Sequence, residues 1–236
     1  MLDFSRFKAI TFDCYGTLID WETGLLSALG PILTSHGQHL PNAAILELYG
    51  ELEPKAQTGN YRTYREVLAD VVRGFGQRLG FTPSDSEASS LAESLKNWKP
   101  FPDTVAGLKR LKTRYKLAIV SNVDDDLFAG TAPQLEVAFE EVITAQQARA
   151  YKPSLEMFRL ALQRLGLEAA QVLHAGQSVY HDVIPAKSLG MTTVWVTRRG
   201  FGATKNVDGK PDLQVSDIKT LTEHATKRIR TRLADV

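Results

Sequence analysis

The feature that most constrains this chain is a short apolar run, Ala9–Phe12, which ends on the carboxylate of Asp13. Its composition predicts a buried strand, and Gly16 allows the backbone to turn sharply just beyond it. Ligands of open α/β sheets bind outside the carboxyl ends of the strands, so Asp13 is a candidate site residue. An aspartate that only ends a strand and caps a turn is the alternative at this point.

The rest of the chain has two patterns that divide near residue 98. Residues 21–97 have helical periodicity, and from residue 99 short apolar runs alternate with amphipathic helical stretches. This alternation is typical of βαβ units in a parallel sheet. We therefore expect residues 1–18 and 99–236 to form a doubly wound, Rossmann-like α/β core, and residues 19–98 to form an inserted α-helical domain. The strands predicted after the first are 117–120, 141–143, 172–175, 193–196 and 213–215, and the helices predicted in the core are 103–112, 155–165, 183–189 and one at the carboxyl terminus.

Charge and cysteine content narrow the function classes. The net charge of +1 over 236 residues gives no global field that would recruit nucleic acid or an anionic membrane, so neither partner is expected. The basic run at 227–232 is interpreted as the solvated end of a helix. Cys14 is the single cysteine, which excludes an intrachain disulfide and fits a reducing compartment. With no apolar leader and no run of transmembrane length, a cytoplasmic location is expected.

Three further segments bring polar residues to predicted strand ends or neighbouring loops, where Asp13 could meet them. They are Ser121-Asn122, Lys152-Pro153, and Gly176-Gln177-Ser178 followed by Asp182. Each alone has an ordinary interpretation as a turn former, a surface lysine or a charge in the first turn of a helix. Their joint occurrence in this order favours one shared site.

These four motifs, beginning with Asp13-x-Tyr15-Gly16-Thr17, resemble those of the haloacid dehalogenase-like superfamily. The resemblance covers the whole predicted core, and the inserted helices stand where that superfamily carries its C1-type cap. It implies that Asp13 is a nucleophile that forms a covalent ester or acyl-phosphate, which is then hydrolysed.

Two departures separate the subfamilies. Phosphatases of this superfamily carry acids where this chain has Tyr15 and Gln177, and without those acids a Mg²⁺ site and proton transfer to an alkoxide are both weakened. The first motif instead resembles the type II 2-haloacid dehalogenases, which implies catalytic roles for Asp13, Lys152 and Asp182 and no cofactor. In that scheme Asp13 displaces halide from carbon, and water assisted by Asp182 hydrolyses the resulting ester. Lys152 is expected to lower the pKa of Asp13 by ~1–3 units.

The residues expected to orient these carboxylates or to contact a small anionic substrate come from the first, second and fourth motifs. Thr17 and the second-motif residues would orient, and backbone N–H groups after Asp13 would bind the acid end of the substrate, while the Cys14 side chain is expected only to pack. The full set is Cys14, Tyr15, Thr17, Ser121, Asn122, Gln177 and Ser178.

The halide-accepting arginine of these dehalogenases has no counterpart at 38–48, and Arg62 and Arg65 are the nearest candidates in the inserted helices. An exposed helix face is the alternative for both arginines. Phe158 stands where the dehalogenases have a tyrosine, and Trp21 either lines the pocket or packs in the core. His181 is either a substitute ligand or structural.

Three functions remain open at this stage. The first is a metal-independent 2-haloacid dehalogenase. The second is a Mg²⁺-dependent phosphatase of the same superfamily, and the third is a degenerate member that binds an anionic metabolite without catalysis. By resemblance, the inserted helices could also form a homodimer contact.

Overall fold

The fold is seen in a computed structural model that describes residues 2–198, 200 and 209–226. Six parallel strands form one sheet in the order β3-β2-β1-β4-β5-β6. The α/β parallel-sheet prediction is confirmed. The strands are β1 (Ala9–Phe12), β2 (Lys116–Ser121), β3 (Glu141–Thr144), β4 (Val172–Gly176), β5 (Thr192–Val196) and β6 (Leu213–Val215).

The central strand β1 sets where the polar loops meet. All four of its residues are buried, as expected for a strand covered on both faces of a parallel sheet. Phe12 lies beside Ile119 of β2 and Ala175 of β4, so the three strands end at nearly the same level. The loops that follow them therefore converge on one edge of the sheet.

Four helices separate β1 from the rest of the core. Two of them begin with the capping-box sequences at Thr63 and Ser84, whose hydroxyls accept hydrogen bonds from the third backbone N–H of the helix. Pro31 and Pro54 lie inside the first two helices. The four helices are α1 (Trp21–Ser35), α2 (Asn42–Ala56), α3 (Tyr64–Leu79) and α4 (Asp85–Ser94), and we call them the helical insertion.

The remaining α-helices of the described core are α5 (Thr104–Lys112), α6 (Asp125–Thr131), α7 (Ala145–Ala148), α8 (Glu156–Leu165), α9 (Ile184–Ser188) and α10 (Ile218–Thr226). One of them differs from the sequence expectation. The helix predicted over 183–189 is preceded by a π-helical turn, Val179–Val183, that runs directly into α9. The basic run 227–232 lies outside the described residues.

One large apolar cluster joins the helical insertion to the sheet. It contains Phe12 and Ile119 from the strands together with Leu25, Leu68 and Leu91 from the insertion. The insertion therefore rests on the same end of the core as the converging loops. Across the described ranges, no helix combines the length and hydropathy needed to cross a bilayer.

Candidate active site

A cavity of about 730 Å³ lies between the strand ends and the helical insertion. Its floor is formed by Asp13 and Ser121 at strand ends, by Lys152 from the loop before α8 and by Asp182 from the π-helical turn. Its walls are largely aromatic, and the aromatic side chains come from both the helical insertion and the core. The aromatic side chains that line it are Tyr15, Trp21, Tyr49, Tyr64, Trp98, Tyr180 and Trp195.

The floor is organised by one buried ammonium group. Lys152 Nζ donates to Asp13 Oδ1 at 2.8 Å, to Asp182 Oδ1 at 2.7 Å and to the Val120 carbonyl at 3.0 Å. These charged residues are almost completely buried: Asp13 is 8% exposed, Lys152 is 3% exposed and Asp182 is 1% exposed. All three ammonium protons are therefore used, and the two carboxylates are held on either side of one cation.

Asn122 fixes the loop that delivers this lysine. Its Oδ1 accepts a hydrogen bond from the Lys152 backbone N–H at 2.7 Å, and its Nδ2 donates to the Lys152 carbonyl at 3.3 Å. The Lys152-Pro153 peptide bond is cis. The Asn122 amide is thereby committed to the loop and orients Lys152, and Asn122 itself also lines the cavity.

Thr17 orients the Asp13 carboxylate from the other side. Its hydroxyl donates to Asp13 Oδ2 at 2.7 Å and accepts from the Gln177 backbone N–H at 2.9 Å. Thr17 is fully buried and does not line the cavity. Asp13 thus has one oxygen on Lys152 and the other on Thr17, which leaves little freedom of rotation about its terminal bond.

Asp182 reaches the floor because Gly176 has no side chain. A Cβ on Gly176 would lie 2.4 Å from Asp182 Cγ, far inside contact distance. The Ser178 backbone N–H donates to Asp182 Oδ2 at 3.3 Å, and His174 Nε2 lies 3.2 Å from Asp182 Oδ1. Asp182 is therefore held by partners from β4, the π-helical turn and the lysine loop.

The pKa values of the two carboxyl groups differ because they share one cation. Burial raises the pKa of Asp13, the nearby Asp182 adds to that rise, and Lys152 only partly opposes it. Burial also acts to raise the pKa of Asp182, but Lys152 and the His174 hydrogen bond outweigh it and hold that pKa below its usual value. Although burial opposes it, the two carboxylates raise the pKa of Lys152 to about 12. Lys152 does act to lower the pKa of Asp13, as expected, but burial and Asp182 outweigh it, so the net shift is upward.

The turn after Asp13 exposes backbone rather than the cysteine side chain. Gly16 has φ +96°, and its N–H donates to the Ile19 carbonyl at 2.8 Å. Cys14 is fully buried among apolar residues, and burial raises the pKa of its thiol well above the usual value. The Cys14 side chain thus packs in the core, as the alternation along the strand indicates, and only its backbone can serve a ligand.

A family model described as haloacid dehalogenase-like hydrolase matches residues 7–190, which include Asp13, Lys152 and Asp182. The chain belongs to the haloacid dehalogenase-like hydrolases. The proposed resemblance to this superfamily is confirmed.

The relatives of this hydrolase include proteins named as dehalogenases and a protein named as a phosphatase. Haloacetate dehalogenase H-2 of Moraxella sp. (strain B) is 27% identical over 216 residues, 89% of this chain and 94% of that protein. Glyceraldehyde 3-phosphate phosphatase of Methanocaldococcus jannaschii is 26% identical over 221 residues, 88% of this chain and 82% of that protein. A crystal structure of a defluorinating L-2-haloacid dehalogenase superposes with a TM-score of 0.82 at 22% identity, covering 94% of this chain and 96% of that one.

The donor set of this hydrolase is a poor fit for a magnesium ion. Mg²⁺ favours several charged oxygen ligands, whereas Asp13 and Asp182 already share Lys152 and the neighbouring Gln177 is neutral. Within the part of the chain that the structure describes, no three His, Cys, Asp or Glu side chains are grouped so that they could hold a metal ion.

Arg62 and Arg65 do not reach the cavity, which corrects the expectation that they contact substrate. The Arg62 guanidinium lies 2.5 Å from Asp70, and that of Arg65 contacts Glu93 and lies 2.5 Å from Asp126. Neither arginine lines the cavity. Both stand at the junction of α3 with the core, where their charges pair across the surface.

Most of the other residues that the sequence suggested line the cavity, and one of them is buried behind it. Tyr15, Ser121, Gln177 and Ser178 line the cavity. The Tyr15 hydroxyl lies 2.8 Å from the Thr131 hydroxyl, and the Ser178 hydroxyl caps the π-helical turn by accepting from the His181 N–H at 3.1 Å. Trp21 and His181 also line the cavity, whereas Phe158 is fully buried against the His174 ring.

Sequence reasoning missed two groups. His174 lies in β4, and its Nδ1 is 2.8 Å from the Thr11 hydroxyl, so its ring links the sheet to Asp182. A histidine inside an otherwise apolar strand was the available signal. Glu53 of α2 lines the cavity opposite the floor, and nothing in the helical pattern around it distinguishes it from a surface glutamate.

Proposed function

We propose that this hydrolase is a 2-haloacid dehalogenase that converts its substrate to a 2-hydroxy acid through an ester on Asp13. The observation that carries the proposal is the Asp13 carboxylate at the cavity floor, held by Lys152 and Thr17, with uncharged Tyr15 and Gln177 beside it. A halide leaves without a proton, so displacement from carbon needs neither an acid at position 15 nor a metal-binding acid at position 177.

The first step is attack by an Asp13 carboxylate oxygen on the carbon that bears the halogen. A carbon–oxygen bond forms while the carbon–halogen bond breaks, and the halide leaves with the bonding electron pair. Lys152 and Thr17 hold the carboxylate in one orientation, which lowers the entropic part of the barrier.

The substrate carboxylate is assigned to neutral donors next to Asp13. The Gly16 N–H is already bonded to Ile19, so the N–H groups of Cys14 and Tyr15 are the donors left at this turn among the described residues. The Ser121 hydroxyl also faces the cavity. Backbone N–H groups bind a carboxylate without adding a mobile charge to the floor.

The leaving halide is assigned to N–H donors of the wall because no arginine lines the described cavity. The indole edge of Trp21 lies against Gly16, since a Cβ on that glycine would be 3.3 Å from Trp21 Nε1 and 3.5 Å from Gln177 Oε1. The Trp21 indole and the Gln177 side-chain amide are therefore the proposed halide acceptors.

The second step is hydrolysis of the ester. Water attacks the carbonyl carbon of the Asp13 side chain and passes one proton to Asp182. The bond between that carbon and the product oxygen then breaks, the product oxygen takes this proton from Asp182, and the second water proton leaves to solvent. The lowered pKa of Asp182 makes it a weak base, so its main contribution is to hold the water in line. The products are a free Asp13 carboxylate and a 2-hydroxy acid.

The test is a substrate panel assayed with Mg²⁺ and with EDTA. We expect chloride or bromide release from 2-haloacids that resists EDTA and disappears in Asp13→Asn. A Mg²⁺-dependent phosphatase is the second candidate, favoured by the phosphatase among the relatives. Phosphate release that needs Mg²⁺, with no halide release, would replace the dehalogenase proposal. Silence on both panels would favour a non-catalytic binding role.

A further inference from the structure

The part of the cavity wall that α2 contributes carries carboxyl groups, whereas a small haloacid is itself an anion. The carboxyl side chains that line the cavity are Asp13, Glu47, Glu51, Glu53 and Asp182, and Lys152 is the one Lys or Arg among the described lining residues. A cleft lined by one sign of charge concentrates ligands of the opposite sign. A substrate that carries only a carboxylate would meet this excess of negative charge without compensation.

Glu53 is the wall carboxyl that faces the interior. Glu47 and Glu51 are exposed at the rim, and Glu51 lies 2.8 Å from the Arg78 guanidinium. Glu53 is half-buried, and it follows Glu51 by half a turn of the helix, so it points away from that ion pair. Its negative charge is the one that a bound molecule would meet.

A hydrogen-bond network holds the Glu53 carboxyl in place. The Gln57 side-chain amide and the Tyr64 hydroxyl donate to it, and the Tyr49 hydroxyl lies 3.0 Å from that of Tyr64. Burial raises the pKa of Glu53 to about 7, against the opposing effect of the Tyr64 hydrogen bond. A fixed carboxyl on an aromatic wall is a receptor for a cation, since aromatic faces also attract cationic groups.

The size of the cavity allows a substrate that reaches from floor to wall. A volume of about 730 Å³ is in the range of sites for drug-sized ligands, which is far more than a two-carbon haloacid fills. We propose that the preferred substrate is a 2-haloacid whose distal end carries an ammonium group, which pairs with Glu53 while the halogen-bearing carbon lies at Asp13. This inference rests on the proposed dehalogenase function and names its substrate class.

The test uses pairs of 2-chloroacids that differ only in charge at the distal end. One member ends in a trimethylammonium group and the other in the isosteric tert-butyl group, in a series of chain lengths. Chloride release is measured at pH 8, where Glu53 is ionised. We expect kcat/KM to favour the cationic member by roughly tenfold at the best length. Equal values across the series would overturn the inference.

Variants then assign the preference to one residue. Glu53→Gln should bring the kcat/KM ratio of the pair close to one, whereas the matched change Glu51→Gln on the rim should leave it near the wild-type ratio. Thermal unfolding of each variant shows that the fold is intact. A preference that survives Glu53→Gln would contradict the assignment.

A binding measurement separates this inference from the proposed function. The same pairs are titrated into Asp13→Asn by calorimetry, which needs no turnover. A lower Kd for the cationic member supports the Glu53 receptor even if the wild-type protein releases no chloride. Equal Kd values for the two members would contradict binding of the ammonium group by Glu53, even if the wild-type protein releases chloride.

Discussion

The floor and the wall of the cavity are built on different principles. The floor comes from strand ends of a parallel sheet, and each of its charged side chains has protein partners at fixed distances, as Lys152 has with Asp13 and Asp182. Part of the wall comes from helices of the insertion, and the partners that the described residues give its carboxyl Glu53, Gln57 and Tyr64, are neutral. The comparison teaches that one cavity can place its reacting groups on the sheet and a separate, independently held carboxyl on an inserted helix.

The largest expected effect comes from removing the floor nucleophile. Asp13→Asn should lower kcat by about 10⁴-fold or more, because Asp13 is the carboxylate assigned to ester formation and an amide cannot take its place. Its free energy of unfolding should equal or exceed that of the wild type, since the raised pKa shows that the fold disfavours the charged form of Asp13. Steady-state kinetics and urea unfolding at pH 7 measure both.

Lys152→Met provides the contrast. It leaves two buried carboxylates without their cation, so we expect it to lose activity and also about 3–5 kcal/mol of unfolding free energy. If Asp13→Asn were the more destabilising of the two, the charge balance described for the floor would be wrong.

A smaller but still large effect is expected at Gly176. In Gly176→Ala the new Cβ would fall 2.4 Å from Asp182 Cγ, so the carboxyl must move off the floor. We expect ester hydrolysis to slow by about 10²-fold, because small displacements of a positioned group carry costs of that order. Single-turnover kinetics separates this step from halide release.

Gly30→Ala is the matched control for that substitution. A Cβ on Gly30 meets nothing within 4 Å, and the residue lies in α1. It should leave both steps unchanged and raise the unfolding free energy by up to about 1 kcal/mol. Equal losses in the two variants would show that the effect is not specific to Asp182.

The shared cation predicts a shift in pH dependence. Asp182 raises the pKa of Asp13, so Asp182→Asn should lower it and move the acid limb of halide release to lower pH. In the wild type that limb should lie above 3.8, the ordinary value for aspartate. The acid limb is measured from the rate of the burst of halide release between pH 4 and pH 8. An acid limb that stays in place or moves to higher pH would contradict the coupling of the two carboxylates.

The smallest effects are expected at the two arginines outside the cavity. Arg62→Ala and Arg65→Ala should change kcat/KM by less than about threefold and the unfolding free energy by about 0–1 kcal/mol, because their ion pairs are solvent-exposed. Chloride release and thermal melts suffice. A hundredfold rise in KM for either variant would return that arginine to the substrate site.

The same contrast explains what could be predicted from the sequence. Alternation of apolar runs with helical stretches located the strands, and motif residues at strand ends predicted the meeting of Asp13, Lys152 and Asp182. These are local signals, because a parallel sheet brings its carboxyl ends to one edge whatever the loops contain. The strand prediction held for β6, which is only three residues long.

The wall and the charge balance gave no comparable signal. Glu53 and Tyr64 come from different helices, and only the packing of α2 on α3 brings them together. The direction of the Asp13 pKa depends on burial and on Asp182 as well as on Lys152, so a lysine in the motif could not fix its sign. The sequence positions of Arg62 and Arg65 do not show which side chains they meet, because that depends on how the start of α3 packs against its neighbours.

The most direct test of the account follows oxygen through one turnover. Enzyme in excess over a 2-chloroacid is reacted in H₂¹⁸O. The masses of the product and of the peptide that contains Asp13 are then measured by mass spectrometry. Attack by Asp13 on carbon, followed by water on the ester carbonyl, predicts heavy oxygen in the Asp13 carboxylate and ordinary oxygen in the new hydroxyl of the product. Heavy oxygen in the product hydroxyl, with Asp13 unlabelled, would mean that water attacks the substrate directly and would contradict the account.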